Sequence, residues 1–272
     1  MQQTIAFIGG GNMAGSLVGG LIKAGHSAAR LRVAEPDAAR ATWLREQFHV
    51  EVKDTGAEII AGSRALVLAV KPQVMAEALR GLKPDPGCTV ISIAAGVRLA
   101  TLQRTLGANV HYVRCMPNTP ALYGVGISGL FAPEGTPDGA RALAESILAA
   151  AGATVWLGSE SELDAVTALS GSGPAYFFLL TEVLREAGVA LGLERQTAER
   201  LAQQTFVGAA RMIQDSAVDV AKLRAQVTSK GGTTEVAVEH LENAGLRAIF
   251  REALRKAAER ARALGDALDK PH

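Results

Sequence analysis

The segment Ile8-Gly9-Gly10-Gly11-Asn12-Met13-Ala14-Gly15 closes an apolar run and opens a helical pattern. Glycines at 9, 11 and 15 allow a tight turn, a close approach of backbone to a ligand, and a helix start whose unpaired amides attract phosphate. This is the spacing of a dinucleotide-binding loop; without a ligand the same residues make a plain strand-to-helix turn. Glu35 ends the second apolar run, about 25 residues beyond the loop, where an acid accepts a ribose 2′-hydroxyl and disfavours a 2′-phosphate. Arg32 and Arg40 flank it and could meet a phosphate instead, and Glu35 could equally cap a helix beginning at Pro36. NADPH and NADH therefore both stand as cofactors. Ala69-Val70-Lys71-Pro72 sits at the carboxyl end of the fourth apolar run, the end that faces the crevice in parallel sheets. Lys71 there lies either beside the cofactor or in solvent.

Three more segments combine hydroxyls, glycines and prolines. Arg114-Cys115-Met116-Pro117-Asn118-Thr119-Pro120 follows a strand, and its Asn118 suits either a ligand contact or an Asx turn. Ser170-Gly171-Ser172-Gly173-Pro174 brings two hydroxyls to the first turn of a helix. Ser229-Lys230-Gly231-Gly232-Thr233-Thr234 leads into another helix. Its amides and the Ser229 hydroxyl can form a nest for a carboxylate; taken alone, the segment also reads as a helix cap. His26, His49, His111, His240 and His272 fall outside these motifs and read as structural. Cys88 and Cys115 form no CxxC pair, so no metal site is expected and Cys115 reads as a small hydrophobe.

The elements that must position these residues follow from periodicity. Up to about residue 160, short continuous apolar runs (Thr4–Ile8, Leu31–Ala34, Val50–Val52, Ala65–Val70, Thr89–Ala94, Val110–Arg114) alternate with helical patterns. That alternation predicts a parallel sheet covered on both faces. Val125–Phe131 and Ala153–Leu157 add two strands around a helix over Pro137–Ala151. Beyond residue 160 only helical patterns remain: Leu163–Leu169, Pro174–Leu191, Gln196–Gln214, Val220–Gln226, Thr234–Asn243 and Leu246–Leu268. The expected division is 1–160 for the α/β part and 161–272 for the helical part, joined tightly near Gly158–Glu162.

The chain has 272 residues, with 28 Lys+Arg against 27 Asp+Glu and a formal net charge of +1. Charges so mixed argue against a nucleic-acid or anionic-membrane partner. No run of about 18 apolar residues occurs, and Met1-Gln2-Gln3-Thr4 lacks a basic leader, so a cytoplasmic protein is expected. Of the 29 glycines, Gly9, Gly11 and Gly15, Gly171 and Gly173, and Gly231 and Gly232 sit in these motifs, which points to close backbone approach and not to disorder.

Taken together and in this order, the Gly-rich start, Val70-Lys71-Pro72-Gln73, Met116-Pro117-Asn118-Thr119-Pro120, the Ser-Gly-Ser-Gly-Pro turn and the Ser-x-Gly-Gly-x-Thr loop resemble pyrroline-5-carboxylate reductase over essentially the whole chain. The resemblance implies an N-terminal Rossmann-type dinucleotide-binding domain and an all-α C-terminal dimerisation domain. It implies an oxidoreductase that transfers hydride from NAD(P)H to L-1-pyrroline-5-carboxylate, giving L-proline in the last step of proline biosynthesis. It further implies homodimers through the C-terminal helices, often five to a decamer. Ser229, Gly231, Gly232 and Thr233 then cradle the substrate carboxylate, Thr234 meets the ring nitrogen, and Ser172 packs at the substrate. Met116 and Asn118 line the nicotinamide pocket.

Three departures stand out: Asp219-Val220 replaces the family's frequent His-Pro pair, Lys53-Asp54-Thr55-Gly56 replaces a polar adenosine contact, and Lys230 fills a variable loop position. A dehydrogenase of the 3-hydroxyisobutyrate type would need a helical Lys after the domain boundary, yet no Lys occurs between Lys83 and Lys222. Reduction of a larger cyclic imine and non-catalytic cofactor binding remain as alternatives.

Overall fold

The computed structural model describes residues 3–269; the readings that rest on Met1, Gln2 and His272 lie outside the described residues. Strands β1 (Ile5–Ile8), β2 (Leu31–Ala34), β3 (Glu51–Lys53), β4 (Ala65–Leu68), β5 (Thr89–Ser92), β6 (His111–Met116), β7 (Gly126–Phe131) and β8 (Gly152–Trp156) form one sheet. Their order is β3-β2-β1-β4-β5-β6-β7-β8. Ile8 pairs with both Ala34 and Leu68, so the carboxyl ends of β1, β2 and β4 stand level. That register brings the Gly-rich loop, Glu35 and Ala69 to one edge of the sheet.

The helices beside the sheet are α1 (Asn12–Lys23), α2 (Ala38–Phe48), the single-turn α3 (Met75–Ala78), α4 (Leu99–Leu106), α5 (Asp138–Ala149) and α6 (Glu162–Val166). β1 shows why both faces must be covered. Ile5 and Phe7 enter one apolar cluster with Leu17 and Leu21 of α1, and Ala6 and Ile8 enter the other with Leu79 and Leu102. Each such large side chain, taken fully out of water, contributes about 1.5–3 kcal/mol.

Three local expectations are corrected. The sheet is not parallel throughout, because β6 and β7 run antiparallel. Residues 117–125 are too few for the crossover of about a dozen residues that a parallel pair needs. The helical pattern that the sequence places after Ala65–Val70, over Val74–Arg80, is a 3₁₀ turn at Pro72–Val74 followed by the single turn α3. The helix expected over Leu163–Leu169 is α6 running into a π-helical turn at Thr167–Gly171.

The remaining helices are α7 (Gly173–Ala190), α8 (Arg195–Asp215), α9 (Val220–Gln226), α10 (Thr233–Asn243) and α11 (Leu246–Leu268). By packing, the described residues divide into two compact units: 3–172 with 256–269, and 173–255. The change from strands to helices near residue 160 and the division between units thus fall at different places. α6 and the π turn pack with the sheet, and so do the last turns of α11. There Gly265 meets Gly96 so closely that a Cβ on either would lie within 3.2 Å of the other's backbone.

Candidate active site

Gly9 adopts φ +96°, and a Cβ there would lie 2.8 Å from Val70 Cγ1 and 3.0 Å from the Ala69 carbonyl. The turn therefore requires glycine. At Gly10 a Cβ would press into Leu44 Cδ1 at 2.5 Å. Gly11 differs: a Cβ there meets nothing within 4 Å, so the residue borders open space. Gly11 is also the N-cap of α1 and has no side chain to spend on the first-turn amides, and that turn holds no acid. The open face and uncapped amides of Asn12 and Met13 fit a pyrophosphate. The third glycine serves packing, since a Cβ on Gly15 would lie 2.9 Å from Arg40 Nη2 and 3.3 Å from Trp43.

Glu35 follows β2 directly. Its Oε2 accepts the Gly10 amide at 2.8 Å and its Oε1 accepts the Asp37 amide at 3.0 Å. It does not cap α2, because the N-cap is Asp37, whose carboxylate accepts the Arg40 amide at 2.7 Å. Beside it, the Ala69 amide donates to the Ile8 carbonyl at 2.8 Å, locking the β4 end to the loop. Lys71 is exposed and Pro72 begins the following turn.

Met116 ends β6, and its Cε sits where a Cβ on Gly171 would be 2.7 Å away. Asn118 spends both ends of its amide on the fold: Nδ2 donates to the Ser170 carbonyl at 3.2 Å and Oδ1 accepts the Ile127 amide at 2.9 Å. It thereby ties β7 to the π turn, and the Ser172 amide donates to Thr167 at 2.8 Å within that same turn. Single π turns in helices recur at functional sites. Burial raises the Cys115 thiol far above the usual range, so it packs as a neutral hydrophobe.

In the helical unit, the loop before α10 departs from a simple carboxylate nest. The Gly231 amide donates to Glu235 Oε2 at 2.6 Å, and the Gly232 amide donates to the Ser229 carbonyl at 3.0 Å. Gly231 takes φ +71°, and a Cβ on Gly232 would strike Ser229 Oγ at 2.7 Å. The α10 N-cap, Gly232, makes no side-chain cap bond to the first-turn amides, and Glu235 places a carboxylate in that same turn. Thr234 is half-buried, and Ser229 and Lys230 are exposed. Asp219 caps α9 by accepting the Ala221 amide at 2.9 Å.

Sequence reasoning missed Glu235 and the Arg114–Glu160 pair. An acid in the first turn of a helix, four residues after a loop glycine, is the signal that would have found Glu235. Arg114 is buried and meets Glu160 at 2.7 Å, while Glu160 also accepts the Leu99 amide at 2.8 Å. That link spans distant parts of the chain and leaves no local signature. Among the described residues, no group of three or more His, Cys, Asp or Glu is arranged to hold a metal ion.

A phosphate-suited loop at the head of a largely parallel sheet, with a glycine-headed anion turn on a separate helical unit, defines an NAD(P)-dependent oxidoreductase built in two parts. Residues 160–264 match the family model for pyrroline-5-carboxylate reductase dimerisation, and residues 4–96 match that for NADP oxidoreductase, coenzyme F420-dependent. The pyrroline-5-carboxylate reductase of Pseudomonas aeruginosa is 45% identical over 266 residues, covering 97% of each chain. The solved reductase from Coxiella burnetii is 41% identical with a TM-score of 0.91, covering 97% of this chain and 99% of its own. That of Plasmodium falciparum, solved with NADP bound, is 28% identical with a TM-score of 0.83, covering 97% of this chain and 98% of its own. The chain belongs to the pyrroline-5-carboxylate reductase family, whose reaction is NAD(P)H-dependent.

Proposed function

We propose that the residues assembled above carry the reduction of L-1-pyrroline-5-carboxylate to L-proline, the last step of proline biosynthesis. When bound, the dihydronicotinamide supplies the hydride. The observation that carries the assignment is the occurrence, in one chain, of an uncapped glycine cradle at α1 and an uncapped hydroxyl-rich turn at α10. Gly9, Gly10 and Gly11 shape the first, with Ile8 at its base, and the Asn12 and Met13 amides hold the pyrophosphate. Glu35 faces the adenosine ribose, and Ala69, Val70, Lys71 and Pro72 wall the crevice. Met116 lines the nicotinamide pocket. Asn118 serves that pocket by holding the π turn that carries Ser172, since its own amide is already engaged.

For the substrate, the Thr233 amide and the Ser229 hydroxyl take the carboxylate, while Gly231 and Gly232 shape the turn. The Thr234 hydroxyl hydrogen-bonds the ring nitrogen. A protonated imine is already electrophilic, so positioning and hydrogen bonding account for most of the acceleration. We place the protein in the cytoplasm and assign it a homodimer through the C-terminal helices, with a decamer as the higher assembly. Among the described residues no helix is long and apolar enough to cross a membrane.

Loss of NAD(P)H absorbance on adding pyrroline-5-carboxylate is the expected result. Binding of cofactor without turnover, or turnover only with the six-membered piperideine analogue, would overturn the assignment. Thr234→Ala should lower kcat more than tenfold while its circular dichroism spectrum matches the parent.

A further inference from the structure

We propose that Glu35 makes this chain select NADH over NADPH, an inference that rests on the reductase reading and specifies its cofactor. Both carboxylate oxygens are aimed by backbone amides, one from Gly10 in the loop itself and one from Asp37. The side chain is thus fixed beside the turn that a pyrophosphate would approach, where an acid accepts a ribose 2′-hydroxyl. Its competing role is gone, because Asp37 caps α2.

The two arginines that could receive a 2′-phosphate are engaged elsewhere. Arg40 donates from Nε to the Gly10 carbonyl at 2.5 Å and lies over the Trp43 ring, 4.0 Å from its centroid. Its Nη2 lies where a Cβ on Gly15 would be 2.9 Å away, so the guanidinium packs onto the start of α1. Arg32 donates to the Ile59 and Ala61 carbonyls at 3.2 and 2.8 Å and pairs with Glu51 at 3.4 Å. The neighbouring ends of β2 and β3 add Asp37, Asp54 and Glu58 to Glu35, four acids against Arg40 and Lys53, whose Nζ lies 4.0 Å from Glu51. A 2′-phosphate, nearly dianionic at neutral pH, would enter a field already negative.

The test compares kcat/KM for NADH and NADPH with pyrroline-5-carboxylate as substrate, and measures binding of ADP-ribose and its 2′-phosphate to the substrate-free protein by calorimetry. We expect NADH to lead by at least tenfold and ADP-ribose to bind at least tenfold more tightly than its phosphorylated form. Glu35→Ser should raise kcat/KM for NADPH at least tenfold and lower it for NADH. Glu35→Gln, which keeps the shape and drops the charge, should recover part of the binding of the 2′-phosphate. Equal or better use of NADPH by the parent protein, with equal or tighter binding of the 2′-phosphate, would overturn the inference while leaving the reductase reading intact. Turnover with neither cofactor would instead sink the reductase reading, and the calorimetry would still decide the role of Glu35.

Discussion

Two glycines two residues apart in the first loop do different physical work. Gly9 is held at φ +96° with Val70 and the Ala69 carbonyl against it, so a methyl group there meets both backbone strain and a clash. Gly11 has φ −60° and empty space around its Cα, so a methyl group fits the fold and intrudes only on a ligand. Gly9→Ala is expected to cost about 1–3 kcal/mol in denaturant unfolding. Gly11→Ala should unfold like the parent yet bind NADH at least tenfold more weakly in a fluorescence titration. A Gly11→Ala protein with parental cofactor affinity would show that the backbone does not approach the pyrophosphate there. These roles were legible because glycine spacing encodes backbone geometry directly. Asn118 was not: in sequence it is a polar residue between prolines, and only the fold reveals that its amide joins Ser170 to Ile127, partners far apart in the chain.

At the scale of elements, β1, β4 and β5 were legible because a strand buried on both faces must be a continuous apolar run, whereas the short edge strand β3 buries only Val52. Direction of pairing has no such signature, which is why the antiparallel β6–β7 pair was hidden in everything except its short connection. The end of α11 was hidden for a related reason: its Arg/Lys and Ala/Leu faces suit any packing helix. In the structure that end is pinned to α4. Arg98 pairs with Asp266, and Asp269 accepts bonds from the Thr101 hydroxyl at 2.5 Å and from Arg104 at 2.6 Å. Those bonds, Thr101 first and Arg104 second, hold the Asp269 carboxyl below its usual range. A carboxyl with a lowered folded pKa stabilises fully above its unfolded value of about 3.9, and that contribution is lost as pH falls through the folded value. Asp269→Asn should therefore cost about 1 kcal/mol or less near neutrality, as befits a largely solvent-screened pair. The melting-temperature gap from the parent should narrow as pH is taken below the carboxylate range. A gap independent of pH would mean that the carboxylate charge contributes nothing to the pinning.

The whole molecule poses a problem that one chain cannot solve alone. In the helical unit, α7 buries only Gly173, α8 buries only Ala198 and Ala202, and α9 and α10 bury nothing. The large apolar side chains of that unit face outward instead, among them Phe178 at 69% exposure, Leu184 at 56% and Val207 at 58%. A unit of this size without a fully buried large side chain has little apolar burial of its own to offset its conformational entropy. Exposed apolar surface on this scale belongs to an interface, which agrees with the dimerisation model matched over residues 160–264. The abundant alanines and glycines visible in the sequence fit the same picture, since small residues let helices approach closely, although composition could not say whose helices would meet. Folding of the helical unit should then be coupled to assembly, so that its melting temperature rises with protein concentration. Light scattering should give an even-numbered oligomer for the parent. Phe178→Glu combined with Leu184→Glu should shift the protein toward monomer and lower its helical signal at 222 nm, because helices deprived of their partner lose most of the apolar burial available to them. A monomeric parent that keeps its full helical signal at micromolar concentration would contradict this coupling.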